Sequence, residues 1–213
     1  MRGSASWAEF SVEPTGRTVR LILASSSPRR RHLLAEAGFD FEVVPPATEE
    51  PLELAAGLPP AQQAEALAYF KARSVAGDHP QAFVLGADTV VAVGGGVLGK
   101  PADRPEAGQM LRCLSGTRHA VITGVALLGP RGFRRIDSET TFVTMRPMSD
   151  GEVEAYLASG EWMGKAGAYA IQETADRFVD KVEGSFRNVV GLPVELISRM
   201  LGTVRAACGE EGT

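Results

Sequence analysis

From Ala24 to Arg30 the chain reads Ala-Ser-Ser-Ser-Pro-Arg-Arg. Three hydroxyls, several backbone N–H groups and two guanidiniums therefore meet in one short stretch. Pro28 suits the first turn of a helix, where its missing N–H costs no hydrogen bond. Arg30 stands where a capping box would carry Glu or Gln, and cations in a first turn oppose the helix dipole. A bound anion would relieve that opposition. A di- or triphosphate fits, since Arg makes bidentate contacts to phosphate oxygens. Ser26, Arg29 and Arg30 are the candidate contacts. A plain Ser-capped surface helix with solvated arginines accounts for the same residues.

Three further charges could join such a site. Lys71 falls in the apolar stripe of a helix predicted over Ala61–Ala76, beside Ala64, Leu67, Ala68 and Val75. A lysine there either snorkels outward or points at something negative. Asp88 ends the apolar run Ala82–Ala87, and ligand sites in α/β sheets gather at the carboxyl ends of strands. Gly86 permits close approach of a backbone or a ligand, although a strand-end Asp equally caps a turn. Lys100 follows the glycines 94–96, which read as a hairpin turn. A carboxylate and a lysine presented together would suit water activation beside phosphate.

The stretch Gly94-Gly95-Gly96-Val97-Leu98-Gly99-Lys100 also satisfies G-x-G-x-x-G and G-x-x-x-x-G-K. Both nucleotide motifs need the loop to open directly into a helix. Here Pro101 occupies the Ser/Thr position of a P-loop, and the next helix signal begins only at Asp103. A Rossmann site would also need an acidic residue about twenty positions on, and none is there. Both readings fail.

The elements that must position these residues alternate between strands and helices. Strands are predicted over Val19–Ala24, Phe41–Val44, Ala82–Ala87 with Thr89–Val93, Ala120–Leu128 and Phe133–Thr144, the last two as a hairpin turned at Gly129-Pro130. Helices are predicted from Pro28 to Ala37, over Ala61–Ala76, from a capping box at Asp103/Glu106 to Leu114, and over Asp150–Leu157 and Pro193–Leu201. The fold class is mixed α/β. Residues 1–18 lack periodicity and read as a flexible extension, leaving 19–205 as one domain. With 213 residues, 44% hydrophobic, the chain can bury a full core. A net charge of −4 opposes a general nucleic-acid surface. Cys113 and Cys208 form no CxxC pair, and His32, His79 and His119 show no metal-ligand spacing. Neither a leader's apolar core nor a bilayer-length apolar stretch is apparent. The expectation is a cytoplasmic protein without membrane or nucleic-acid partners.

Six blocks together carry a family resemblance. They are Ala24–Arg30 with Leu33-Leu34; Gly86-Ala87-Asp88-Thr89-Val90-Val91; Gly99-Lys100-Pro101; Leu114–His119 running on to Thr123-Gly124; Lys165–Gln172; and Glu183–Phe186 with Asn188–Pro193. In this order, over about Val19 to Leu201, they resemble the Maf family of nucleoside triphosphate pyrophosphatases. The resemblance implies a mixed central sheet flanked by helices, akin to inosine triphosphate pyrophosphatases, with two lobes around a cleft. It implies hydrolysis between the α- and β-phosphates, dependence on Mg2+ or Mn2+, and a homodimer. Asp88 matches the family's proton acceptor. Arg29, Thr89 and Gln172 match positions of substrate choice, and Lys165, which opens the block that carries Gln172, is a further candidate for substrate binding. Glu50, Lys71 and Lys100 match further charged positions, with Glu50 and Asp88 the candidate metal ligands.

The variable positions Ala87, Thr89, Tyr169 and Gln172 resemble the dTTP/UTP branch. A Gln amide offers both donor and acceptor to the edge of uracil or thymine. Ala170 replaces a more usual Gly, and Phe186 a more usual Tyr. Removal of modified nucleotides is compatible with the same site. The alternatives are a 7-methyl-GTP pyrophosphatase and, from another class, a non-catalytic nucleotide-sensing regulator of septum formation.

Overall fold

The structure, a computed structural model, describes residues 20–47, 55 and 57–209, with side chains of the last helix described to Val204. The expected extension 1–18 and the candidate ligand Glu50 lie outside the described residues.

Seven strands form one mixed sheet: β1 (Leu21–Ala24), β2 (Glu42–Val43), β3 (Phe83–Val93), β4 (Gly96–Leu98), β5 (Arg118–Leu128), β6 (Arg134–Met145) and β7 (Val179–Glu183). Their order is β2-β1-β3-β5-β6-β7, with β4 paired to the end of β3. β1 runs parallel to β2 and β3, and every other pairing is antiparallel. The helices are α1 (Pro28–Glu36), α2 (Pro60–Ala76), α3 (Arg104–Leu114), α4 (Asp150–Ser159), α5 (Phe186–Val190) and α6 (Val194–Gly209).

Both faces of the central strands are covered, which is why β1 and β3 read as apolar runs and not as alternating ones. One face, bearing Leu23, Leu85, Val121, Val125 and Leu127, belongs to the main core with Leu34, Leu111, Tyr156, Phe178 and Ile197. The other face, with Ile22, Val84 and Ala126, packs under Ala68, Ala72 and Val75 of α2. That helix lies unusually close to the sheet because the strands beneath it are bare. A Cβ on Gly86 would stand 2.3 Å from the Ala68 carbonyl oxygen, and one on Gly124 2.2 Å from the Ala64 carbonyl carbon. Asp88 pairs with Gly124 across β3 and β5, so both glycines and Asp88 share the α2 face.

Several expectations change. β3 passes unbroken through Asp88, so this residue is not at a strand end; the antiparallel pairing with β5 continues from Val84 to Ala92 and holds it extended. The strand expected over Phe41–Val44 shrinks to two exposed edge residues. The last helix runs on to Gly209, past the expected Leu201. The short helix α5 escapes a periodicity search because five residues make little more than one turn. The glycine hairpin is as expected: Gly94 and Gly95 have φ of 58° and 82° between paired Val93 and Gly96, the two-residue type I′ pattern. In α3 the Asp103 carboxylate accepts from the Glu106 N–H at 2.9 Å, and Glu106 returns a bond to the Ala102 N–H at 2.6 Å.

The close seat of α2 predicts a steric outcome. Gly124→Ala should cost about 1–3 kcal/mol or more by overpacking. Gly202→Ala, with open space around an exposed position of α6, should gain up to about 1 kcal/mol in helix propensity. Urea unfolding of both variants checks the contrast.

Candidate active site

The site begins where the sheet has a gap. β1 pairs with β3 as far as Ala24↔Gly86, and β4 picks up the same strand at Val91↔Leu98. Between them, Ala87–Val90 has no strand neighbour on that side among the described residues. A cavity of about 710 Å³ opens along this edge. Because side chains alternate along a strand, the exposed edge offers Asp88 from one face and Thr89 and Val91 from the other.

The turn after β1 forms one wall. Ser27 is the N-cap of α1, its hydroxyl 3.5 Å from the Arg30 N–H, and Ser25 Oγ accepts from the Ser27 N–H at 3.1 Å. The first turn holds no acidic residue, so the opposition between arginines and dipole is present in the fold. Arg30 is also a brace: its Nε donates to the Gly191 carbonyl at 2.8 Å and its Nη2 to Thr89 Oγ1 at 3.2 Å.

Below the edge, Lys71 Nζ donates to Asp88 Oδ1 at 2.5 Å, with both side chains under 10% exposed (7% and 6%). Lys71 therefore turns inward and does not snorkel. A buried pair of this kind survives desolvation only when its geometry is good. The short reach follows from α2 lying directly on the bare backbone at Gly86 and Gly124.

The segment from Gly164 to Gln172 forms the opposite wall. Gly167 N–H donates to the Gly99 carbonyl at 3.0 Å, which ties this segment to the chain just before Lys100. Ala170 N–H donates to Tyr156 Oη at 3.2 Å, and Tyr169 Oη shares a 2.8 Å hydrogen bond with His119 Nε2. Ala168 has φ of 61°, a conformation that costs a residue with a Cβ about 1 kcal/mol or more. Lys165 is buried; its ammonium donates to the Glu161 carbonyl and to Glu173 Oε2, the latter at 3.1 Å.

Ser26, Arg29, Arg30, Lys71, Asp88, Thr89, Lys100, Lys165 and Gln172 all line the one cavity. Of the expected metal pair, only Asp88 lies among the described residues, which hold no cluster of three His, Cys, Asp or Glu able to bind a metal. Sequence reasoning missed Glu173, Tyr156 and Thr123 as partners of the site. Thr123 had a signal, since it lies opposite Thr89 once β3 and β5 are put in register. Glu173 had none, because its pairing with Lys165 depends on an irregular loop.

Burial lowers the His119 pKa to about 4 and raises that of Tyr169. His119 is therefore neutral at physiological pH. Its Nδ1 has no partner among the described residues.

The profile of the Maf family, described as Maf-like protein, matches residues 20–204. The chain belongs to this family. Among relatives, the dTTP/UTP pyrophosphatase of Salinibacter ruber is 50% identical over 85% of this chain and 89% of its own. That of Pelotomaculum thermopropionicum is 47% identical over 85% and 94%, and that of Deinococcus radiodurans 44% over 88% and 94%. Among solved structures, a HAM1 protein from Coxiella burnetii aligns with a TM-score of 0.49 at 17% identity, covering 87% of this chain and 100% of that one.

Two outcomes follow for this Maf-like chain. Lys71→Met leaves Asp88 buried without its cation and should cost about 3–5 kcal/mol; adding Asp88→Asn should recover part of that, measured as a double-mutant cycle. For His119, the unfolded state takes up a proton near pH 6.5 and the folded state only near pH 4. Its contribution is present above pH 6.5 and lost as pH falls to 4, roughly 3 kcal/mol in all. His119→Gln removes this component, so the stability difference between variant and wild type should change by that amount between pH 7 and pH 4 in urea titrations.

Proposed function

We propose that the chain hydrolyses dTTP and UTP to the nucleoside monophosphate and pyrophosphate, by attack of water on the α-phosphorus. The observation that carries this reading is the two-sided strand edge. On one side lies the Lys71–Asp88 pair; on the other lie Val91, Val121, Tyr169 and Ile171, an apolar wall suited to a nucleoside, and the Ser/Arg turn reaches the edge through the bond from Arg30 to Thr89. Ala87, Thr89, Tyr169 and Gln172 agree with the dTTP/UTP branch, and relatives at 44–50% identity carry that name.

In this mechanism Asp88 orients and deprotonates the attacking water while Lys71 balances its charge. Arg29, Arg30 and Lys100 offset the negative charge of the phosphates, since phosphoryl transfer is catalysed chiefly by positioning and electrostatics. Gln172 presents its amide to the base edge. Asp88 Oδ2 has no hydrogen bond among the described residues. One carboxylate combined with substrate phosphates suits a largely hydrated magnesium ion. Asp88, with Glu50 by family resemblance, would hold Mg2+ or Mn2+, which supplies charge neutralisation to the triphosphate.

The same reading takes residues 19–205 as one catalytic domain, forming a homodimer in the cytoplasm and acting on free nucleotides. Among the described residues no helix is long and apolar enough to cross a membrane.

Product analysis with magnesium over dTTP, UTP, CTP, GTP and 7-methyl-GTP tests the proposal. Pyrophosphate should be released chiefly from dTTP and UTP; orthophosphate as first product, or release chiefly from 7-methyl-GTP, overturns it. Asp88→Asn, which keeps an acceptor for Lys71, should lose at least about 100-fold in kcat with an unchanged circular dichroism spectrum.

A further inference from the structure

On the nucleoside side of the β3 edge, four groups form a directed hydrogen-bond chain. Arg30 Nη2 donates to Thr89 Oγ1 at 3.2 Å. Thr89 Oγ1 lies 2.9 Å from Thr123 Oγ1, and Thr123 Oγ1 lies 3.2 Å from the Asn188 carbonyl oxygen. The two ends have fixed polarity: a guanidinium can only donate and a carbonyl can only accept. Thr123 is fully buried, so its one hydrogen goes either to Asn188 or back to Thr89. The first choice makes three hydrogen bonds, from Arg30 to Thr89 to Thr123 to Asn188. The second makes two and leaves the Thr89 hydrogen unused within the protein. An Arg30 cation beside Thr89 Oγ1 also turns the hydroxyl hydrogen away from itself, toward Thr123.

We infer that Thr123 is a positioning residue that fixes Thr89 as a hydrogen-bond acceptor toward the cavity, so that the site selects nucleotides offering a donor there. This rests on the pyrophosphatase reading. The hydrogen of Thr89 is held by Thr123, and one lone pair faces the ligand, the other taking Arg30. Uracil and thymine carry an imide N–H, whereas cytosine presents a bare acceptor nitrogen at the same ring position; the ribose 3′-hydroxyl is the other donor of the same ligand. A site built to receive a hydrogen rejects analogues that lack it far more strongly than an apolar pocket rejects a change of shape. Thr123 touches no ligand, since it does not line the cavity; it acts through Thr89.

The test measures pyrophosphate release, as kcat and KM separately, from UTP, CTP and 3′-deoxy-UTP, with the wild type, Thr123→Val and Thr123→Ser. In the wild type, CTP or the 3′-deoxy analogue should fall at least tenfold below UTP in kcat/KM; a loss confined to CTP identifies the imide as donor, and one confined to the 3′-deoxy analogue the hydroxyl. Thr123→Val frees the Thr89 hydroxyl to donate, so that discrimination should shrink at least fivefold with kcat for UTP within twofold of wild type. Thr123→Ser should restore it, which a purely structural loss would not do. Equal use of all three substrates by the wild type overturns the inference without any variant, as does a Thr123→Val enzyme that keeps the wild-type ratio. Absence of pyrophosphate from every nucleotide would instead strike the pyrophosphatase reading itself.

Discussion

The contact between Lys71 and Asp88 depends on how closely α2 can approach the sheet. An ammonium and a carboxylate removed from water lose hydration that only a short, well-aligned contact can replace. Lys71 extends from a helix whose sheet-facing positions are Ala64, Ala68 and Ala72, and it meets strands that carry Gly86 and Gly124 under that helix. Small residues on both sides bring backbone against backbone, and the lysine reaches Asp88 at 2.5 Å. A side chain at either glycine would lift α2 and separate the charges. The glycines are thus electrostatic devices as much as steric ones.

A second constraint comes from the lengths of the strands beside β3. Adjacent residues of a strand point to opposite faces, so Asp88 and Thr89 could not normally reach one ligand. Both line one cavity here because β1 stops at Ala24 and β4 starts pairing only at Val91. A ligand lying along the uncovered edge touches both faces at once. The end of β1 also releases the chain into the Ser25–Arg30 turn, and the Gly94-Gly95 hairpin returns it toward Lys100. The gap, the Ser/Arg turn and Lys100 therefore all arise where β1 ends and the hairpin to β4 begins along one edge.

The sequence made most of the site legible, and its failures have physical causes. The Ser/Arg turn was readable because Pro28 and Ser27 mark a helix start and the arginines contradict the dipole there. Lys71 stood out as a cation inside an apolar stripe. The placement of Asp88 at a strand end was wrong because Gly86 and the polar Asp-Thr pair look like a break, whereas pairing with β5 carries the strand through them. Lys165 was legible as a cavity residue, but its ion pair with Glu173 was not, since irregular loops lack a periodicity from which to infer contacts. The hydroxyl chain through Thr123 needed strand register, which spacing alone does not provide.

The distribution of charge around the cavity explains why an anionic ligand belongs there. Among the described lining residues, Arg29, Arg30, Lys71, Lys100 and Lys165 face a single carboxylate, Asp88. Asp88 is an anionic neighbour of Lys71, and Glu173 of Lys165. Helix α1 has no acidic residue in its first turn to balance its dipole and its arginines. Real proteins keep local conflicts of this kind chiefly at functional sites. Phosphate oxygens are suited to that place, because they accept from backbone N–H groups and from guanidiniums together.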